Sequence, residues 1–268
     1  MSNICFIGAG NMAQSIIGGL INAGTPKAQI WATARSEATL STLRALEINV
    51  TSDNLAAIAA CDIVILAVKP AIFSSLCEHI APSIGDKLVI SVAAGITCDA
   101  LARWLGKHVA IVRSMPNTPS LIGEGVSGLF ANTHVSPTQK QAAHTIAQAA
   151  GRAHWIEDEA LMHTVIAVSG SGPAYFFLFL ESMIDAAIAQ GMDPSVARDL
   201  AIQTAKGAAL LAEHSDDDVK TLRQKVTSAG GTTEQAILSF EATGLRAHVA
   251  TAMNACAERS KTMEKELN

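Results

Sequence analysis

The chain has 268 residues, 49% hydrophobic and 16% charged, the balance of a water-soluble globular protein with room for one large domain or two smaller ones. An aromatic share of 4% and a net charge of -5 argue against a nucleic-acid partner, which needs stacking rings and a basic surface. Five scattered cysteines without a C-x-x-C pair (Cys5, Cys61, Cys77, Cys98, Cys256) read as buried thiols in a reducing compartment, and eight histidines without ligand spacing give no metal site.

Asn3 to Ile7 is a short apolar run with no basic segment before it, which reads as a β-strand and not as a secretion signal. It enters Gly8-Ala9-Gly10-Asn11-Met12-Ala13, after which Ile16, Ile17 and Leu20 recur at helical spacing up to Gly24. Strand, glycine turn and helix in that order make the dinucleotide fingerprint. Gly8 allows the tight turn, Gly10 lets a pyrophosphate reach the backbone, and Ala13 is small enough for helix and strand to pack closely. A second strand, Gln29 to Thr33, ends in Ala34-Arg35-Ser36. A site for NAD usually carries a carboxylate there for the ribose 2′-hydroxyl. A guanidinium and a hydroxyl suit a 2′-phosphate instead, which favours NADPH over NADH.

Val50 to Asp53 predicts a third strand, and Leu55 to Ala60 a helix after Asn54. Asp62 to Val68 is apolar on both faces, as a central parallel strand must be. Lys69-Pro70 ends it, and Lys69 is either a cofactor contact at a strand end or a snorkelling surface lysine. Leu88 to Val92 runs into Ala93-Ala94-Gly95-Ile96-Thr97, small residues against which a flat nicotinamide ring can lie. After a strand at Val109 to Val112, the two prolines in Arg113 to Pro119 predict a rigid loop over the crevice. A strand at Gly125 to Ala131, a helix at Pro137 to Ala150 and a short strand at Trp155-Ile156 complete the alternation. The expected fold is α/β, a doubly wound parallel sheet over residues 1–157, with Glu157-Asp158-Glu159 opening a linker.

Residues 158–268 read as helices only. Leu161 to Val168 ends in Ser169-Gly170-Ser171-Gly172, expected as a tight turn in which Ser171 can offer a ligand a hydrogen bond. Neither serine has the G-x-S-x-G frame of a nucleophile elbow. Further helices are expected at Pro173 to Gln190, Asp193 to His214, Asp216 to Lys225, Thr232 to Thr243 and Leu245 to Glu264. Tyr175 to Leu180 is apolar on every side of its helix, while the longest apolar run, Pro173 to Leu180, is too short to span a bilayer. No membrane partner and a cytoplasmic location are therefore expected, and burial of that helix calls for a second copy of the chain, a homodimer joined through the helical half. Before the Thr232 helix stands Ser228-Ala229-Gly230-Gly231-Thr232-Thr233, read either as a helix cap or as an anion site for a carboxylate, built from backbone N–H groups and hydroxyls.

The motifs Gly8 to Ala13, Val68-Lys69-Pro70, Ala93-Ala94-Gly95, Arg113 to Pro119, Val168 to Tyr175 and Thr227 to Thr233 occur in an order that resembles the pyrroline-5-carboxylate reductase family, over nearly the whole chain. The resemblance implies hydride transfer from NADPH to the C=N bond of 1-pyrroline-5-carboxylate, giving L-proline in the last step of its biosynthesis. It implies a Rossmann domain followed by a helical domain that interlocks with a partner copy, with rings of dimers in some members. Gly8, Gly10, Asn11 and Met12 would face the pyrophosphate, and Arg35 and Ser36 the 2′-phosphate. Asn54, Ala67, Val68, Lys69, Pro70, Ala93, Ala94 and Gly95 would line the rest of the cofactor groove. Ser228, Gly231, Thr232 and Thr233, together with Ser171, would hold the substrate, with Thr233 and Ser228 as the catalytic candidates. Ala229 departs from the family's usual proline. Two other classes fit parts of the pattern: a β-hydroxyacid dehydrogenase using Lys206 as its acid, and a non-catalytic NADP-binding sensor.

Overall fold

The computed structural model describes residues 2–268. Packing divides the chain into two compact units. One reaches to Ser171 and resumes at Ala255–Asn268; the other is Gly172–Asn254.

The first unit is built on strands β1 (Ile4–Ile7), β2 (Ile30–Thr33), β3 (Asn49–Thr51), β4 (Ile63–Leu66), β5 (Leu88–Ser91), β6 (Ala110–Met115), β7 (Gly125–Ala131) and β8 (Gly151–Trp155). They form one sheet in the order β3-β2-β1-β4-β5-β6-β7-β8. Helices α1 (Asn11–Asn22), α2 (Glu37–Arg44), α3 (Asn54–Ala59), α4 (Phe73–Ile80), α5 (Cys98–Leu105) and α6 (Pro137–Gln148) connect them. Side chains alternate across a strand, so a sheet covered on both faces needs apolar residues at successive positions. Strand β1 shows the rule: Ile4 and Phe6 join one apolar core with Ile17 and Ile65, whereas Cys5 and Ile7 join the other with Val64 and Phe73.

The first six strands are parallel, in the doubly wound order, but β7 runs antiparallel to β6. The expected doubly wound parallel sheet is present, with β7 and β8 running opposite to the other six strands. The link from β6 to β7 holds only a short 3-10 helix, Thr118–Ile122, and a parallel return needs a longer crossover. The segment from Arg113 is also not a loop from its start, because β6 extends to Met115 and buries Arg113 in the sheet. Four of the five cysteines are buried. Burial pushes the Cys77 thiol up to about 12 and raises Cys98 as well, so these thiols stay protonated and unreactive.

After β8 come α7 (Met162–Val165) and then α8 (Gly172–Ala189), joined by a π-helical passage at Ile166–Gly170. The tight turn expected at Ser169 to Gly172 is thus a widened helical turn, closed by the Ser171 N–H on the Ile166 carbonyl at 2.8 Å. The turn packs closely against β6 and the segment after it. A Cβ on Gly170 would lie 2.8 Å from Met115 Cε, and Asn117 Nδ2 donates to the Ser169 carbonyl at 3.1 Å. The apolar stretch therefore runs on as Glu159–Ala189, which by length and composition alone could cross a membrane, so the eight-residue count from sequence understated it.

The second unit holds α8, α9 (Pro194–His214), α10 (Val219–Lys225), α11 (Thr232–Ala242) and the start of α12 (Leu245–Leu267). Asp193 caps α9 and Gly191, at φ +94°, ends α8, both as the sequence pattern predicts. The core here is thin. Phe179 meets Phe240 at 6.1 Å between ring centres, while Phe176 is 71% exposed and Phe177 65%.

Two neighbouring glycines in α1 give a direct test of the packing. A Cβ on Gly19 would stand 1.8 Å from the Ala149 carbonyl oxygen, whereas one on Gly18 would meet nothing within 4 Å. Urea unfolding at one protein concentration should show Gly19→Ala destabilised by about 1–3 kcal/mol or more. Gly18→Ala should gain up to about 1 kcal/mol from helix propensity.

Candidate active site

In a doubly wound sheet, ligands bind beyond the carboxyl ends of the strands where the order reverses, here between β1 and β4. Gly8 sits at that point with φ +87°. A Cβ there would lie 2.6 Å from Val68 Cγ1 and 3.0 Å from the Ala67 carbonyl, so only glycine lets the two strand ends meet. The Gly8 N–H donates to Thr33 Oγ1 at 3.3 Å, tying in the end of β2. One step on, Gly10 has nothing within 4 Å of its would-be Cβ, leaving its backbone open to a ligand.

The helix starts differ in a way that bears on chemistry. Ser36, Asp53, Thr97, Ser136, Asp193 and Asp218 each accept backbone N–H bonds as caps of α2, α3, α5, α6, α9 and α10. Helices α1 and α11 begin instead at Gly10 and Gly231, which supply no capping side chain. Their first-turn N–H groups and the positive end of the helix dipole stay available for an anion. This arrangement fits a pyrophosphate at α1, whose start includes Asn11 and Met12.

Around the α1 start, the remaining predicted cofactor residues lie on the loops of the same sheet edge. Arg35 and Ser36 follow β2; both are exposed, and Ser36 is committed as the α2 cap. The next carboxylate along the chain, Glu37, is paired with Arg44. Asn54 opens α3, and Ala67, Val68, exposed Lys69 and Pro70 follow β4. Ala93, Ala94 and Gly95 follow β5, where Gly95 takes φ +79°.

In the second unit, Gly230 at φ +73° and Gly231 form the bend before α11. The Gly231 N–H donates to the Ser228 carbonyl at 3.0 Å, and Glu234 reaches back to the Gly230 N–H at 2.7 Å. Ser228, Thr232 and Thr233 are exposed. Among the described residues, their hydroxyls have no partner within the chain. The bend therefore closes without consuming the α11 N–H groups or these hydroxyls. In the first unit, Ser171 Oγ accepts from Cys256 Sγ at 3.3 Å. Lys206 is exposed on α9.

Sequence reasoning missed a polar cluster beside the β5 turn. Arg113, 2% exposed, donates to Glu159 Oε1 at 2.6 Å and faces Glu264 Oε2 at 3.6 Å. Glu159 also accepts from the Cys98 N–H at 2.8 Å, and buried His163 shares a 2.9 Å hydrogen bond with Ser260. A guanidinium this deep needs its carboxylates, since the desolvation cost is otherwise uncompensated. Strand alternation carried past Val112 could have placed Arg113 in the sheet. No local pattern points to partners as remote in sequence as Glu264.

Comparison with known proteins agrees with this geometry. Residues 3–95 match the family model described as NADP oxidoreductase coenzyme F420-dependent, and residues 159–263 match pyrroline-5-carboxylate reductase dimerisation. The Pseudomonas aeruginosa pyrroline-5-carboxylate reductase is 46% identical over 98% of this chain and 97% of that one. The solved structure of a pyrroline-5-carboxylate reductase from Coxiella burnetii is 42% identical with a TM-score of 0.95, covering 98% of both chains. The Plasmodium falciparum pyrroline carboxylate reductase, solved with NADP bound, is 33% identical with a TM-score of 0.87, again over 98% of both chains. Fold, glycine turns and near full-length identity together place the chain in the pyrroline-5-carboxylate reductase family, as an NAD(P)H-dependent oxidoreductase of proline biosynthesis acting on a C=N bond.

Proposed function

We propose that helices α1 and α11 divide the reaction between them, α1 receiving the cofactor pyrophosphate and α11 the carboxylate of 1-pyrroline-5-carboxylate. The observation that carries this reading is that α1 and α11 start at extended glycines without a capping side chain, whereas six other helices carry one and α4 and α7 continue from 3-10 turns. Residues 1–157 then serve as the NADP-binding part and 158–268 as the substrate-binding and dimerisation part. NADPH supplies the hydride. Gly8, Gly10, Asn11 and Met12 hold its pyrophosphate, and Asn54, Ala67, Val68, Lys69 and Pro70 border the groove. Ala93, Ala94 and Gly95 offer a wall without long side chains for the nicotinamide.

Preference for NADPH over NADH is supported by Arg35, exposed and without an ion pair among the described residues, and by the engagement of Glu37 with Arg44. On the substrate side, the α11 N–H groups and the hydroxyls of Ser228 and Thr232 hold the carboxylate against Gly231. Thr233 bonds the ring nitrogen, and Ser171 contributes a further polar contact. A protonated imine accepts hydride far more readily than a neutral one, and solvent can deliver that proton, so the protein's task is positioning. Ala229 leaves the bend free of a proline constraint, with Gly230 setting its shape.

The exposed apolar face of α8 lies within the dimerisation match, which supports a homodimer joined through the helical part in the cytoplasm, as the basic assembly of any larger ring. Sedimentation at micromolar concentration should show twice the chain mass; a stable 27.9 kDa species would contradict this assembly. For the chemistry, Thr233→Ala should lower turnover about ten- to a thousandfold, the loss of one positioned polar contact. An unchanged rate in the purified variant removes Thr233 from the mechanism. Arg35→Ala should raise KM for NADPH about 10- to 100-fold, the range for a lost charge-assisted hydrogen bond, while KM for NADH stays within about twofold. Equal effects on both cofactors would contradict the 2′-phosphate assignment.

A further inference from the structure

Helix α12 ends in the first unit, and there every fourth residue carries a polar contact. Cys256 Sγ donates to Ser171 Oγ at 3.3 Å, and Ser260 Oγ meets His163 Nδ1 at 2.9 Å. Glu264 faces Arg113 at 3.6 Å and His163 Nε2 at 3.7 Å. Asn268 closes the row: its Oδ1 accepts from the Thr97 N–H at 2.9 Å and the Thr97 hydroxyl at 3.1 Å, and its Nδ2 donates to the Gly95 carbonyl at 2.7 Å. Residues four apart form one ridge of a helix, and twelve residues of it span about 18 Å.

The targets of this ridge are its notable feature. Apart from Leu267, the last turns of α12 add little to the apolar cores; they reach the loops and strand ends beside the site. Gly95 in particular, at φ +79°, carries no side chain that could pack it in place. The space above it is filled by Leu267, whose Cδ1 would stand 3.0 Å from a Cβ added there. One carboxamide thus satisfies the Gly95 carbonyl and both donors of Thr97, two residues further on.

We propose that the polar ridge of α12 is a positioning strut, in which Asn268 holds the Ala93–Gly95 turn in the shape the nicotinamide needs, while Cys256 holds the hydroxyl of Ser171. The inference rests on the reading of Ala93 to Gly95 as the nicotinamide wall. Asn268 is a positioning residue: it acts through the turn and touches neither reactant.

The test uses the full-length enzyme with Asn268→Ala, Asn268→Asp and, as a probe of the wall itself, Gly95→Ala. NADPH affinity is followed by nucleotide fluorescence, with kcat, both KM values and Tm alongside. Loss of two or three neutral hydrogen bonds should weaken NADPH binding about 3- to 30-fold in Asn268→Ala. KM for 1-pyrroline-5-carboxylate should stay within about twofold and Tm within about 2 °C. Asn268→Asp keeps the acceptor for Thr97, so it should recover part of the loss. Unchanged NADPH binding in Asn268→Ala with weakened binding in Gly95→Ala overturns the strut and leaves the wall standing. Unchanged binding in both overturns strut and wall together. Equal losses in the Ala and Asp variants accompanied by a large fall in Tm would make α12 a structural clamp only, and overturn the proposal.

Discussion

A helix must satisfy its first backbone N–H groups, and this chain meets that demand in several ways; α4 and α7, for example, continue directly from 3-10 turns. Six helices use their own Ser, Thr or Asp side chains, while α1 and α11 start at glycines that supply none. An uncapped start is a liability unless something outside the helix completes it, and a phosphate or a carboxylate is what such an end attracts. The same glycines remove the Cβ atoms that would hold a ligand away. Capping and anion binding are thus one requirement met by different partners.

The sheet holds the first of these ends with little freedom. Gly8 is locked between the end of β2 and the Ala67–Val68 backbone, where any side chain would collide with β4. Beside it, the β5 turn has no such lock of its own and borrows one from the end of α12. The buried Arg113, shared between Glu159 and Glu264, fixes the neighbouring part of α12 against β6. Polar contacts of this kind add little net stability, but they set which geometry the apolar core settles into.

Much of the first unit was legible in the sequence because its signals are local. Gly8, Gly10 and Ala13 sit at fixed spacing after a strand; Asp193-Pro194 and Gly191 mark helix ends through their own backbone preferences. The misses were non-local. The direction of β7 depends on how far nine linking residues can reach, and the widened turn at Ile166–Gly170 packs against Met115 and Asn117 from another part of the chain. Arg113 read as a loop residue because a charge inside a sheet is intelligible only beside Glu159 and Glu264. For α8, an apolar surface on every side was readable as burial against something; the single chain leaves Phe176 and Phe177 exposed, within the residues that match the dimerisation model.

In the proposed reaction the backbone start of α11 receives the substrate carboxylate while the start of α1 receives the cofactor pyrophosphate. The most direct test is a crystal structure of the enzyme with NADP and proline bound. The proline carboxylate should lie on the N–H groups of Thr232 and Thr233, and the pyrophosphate over Gly10 with the nicotinamide against Ala93 to Gly95. A proline carboxylate held by side chains elsewhere, with only water on the first turn of α11, would contradict this placement.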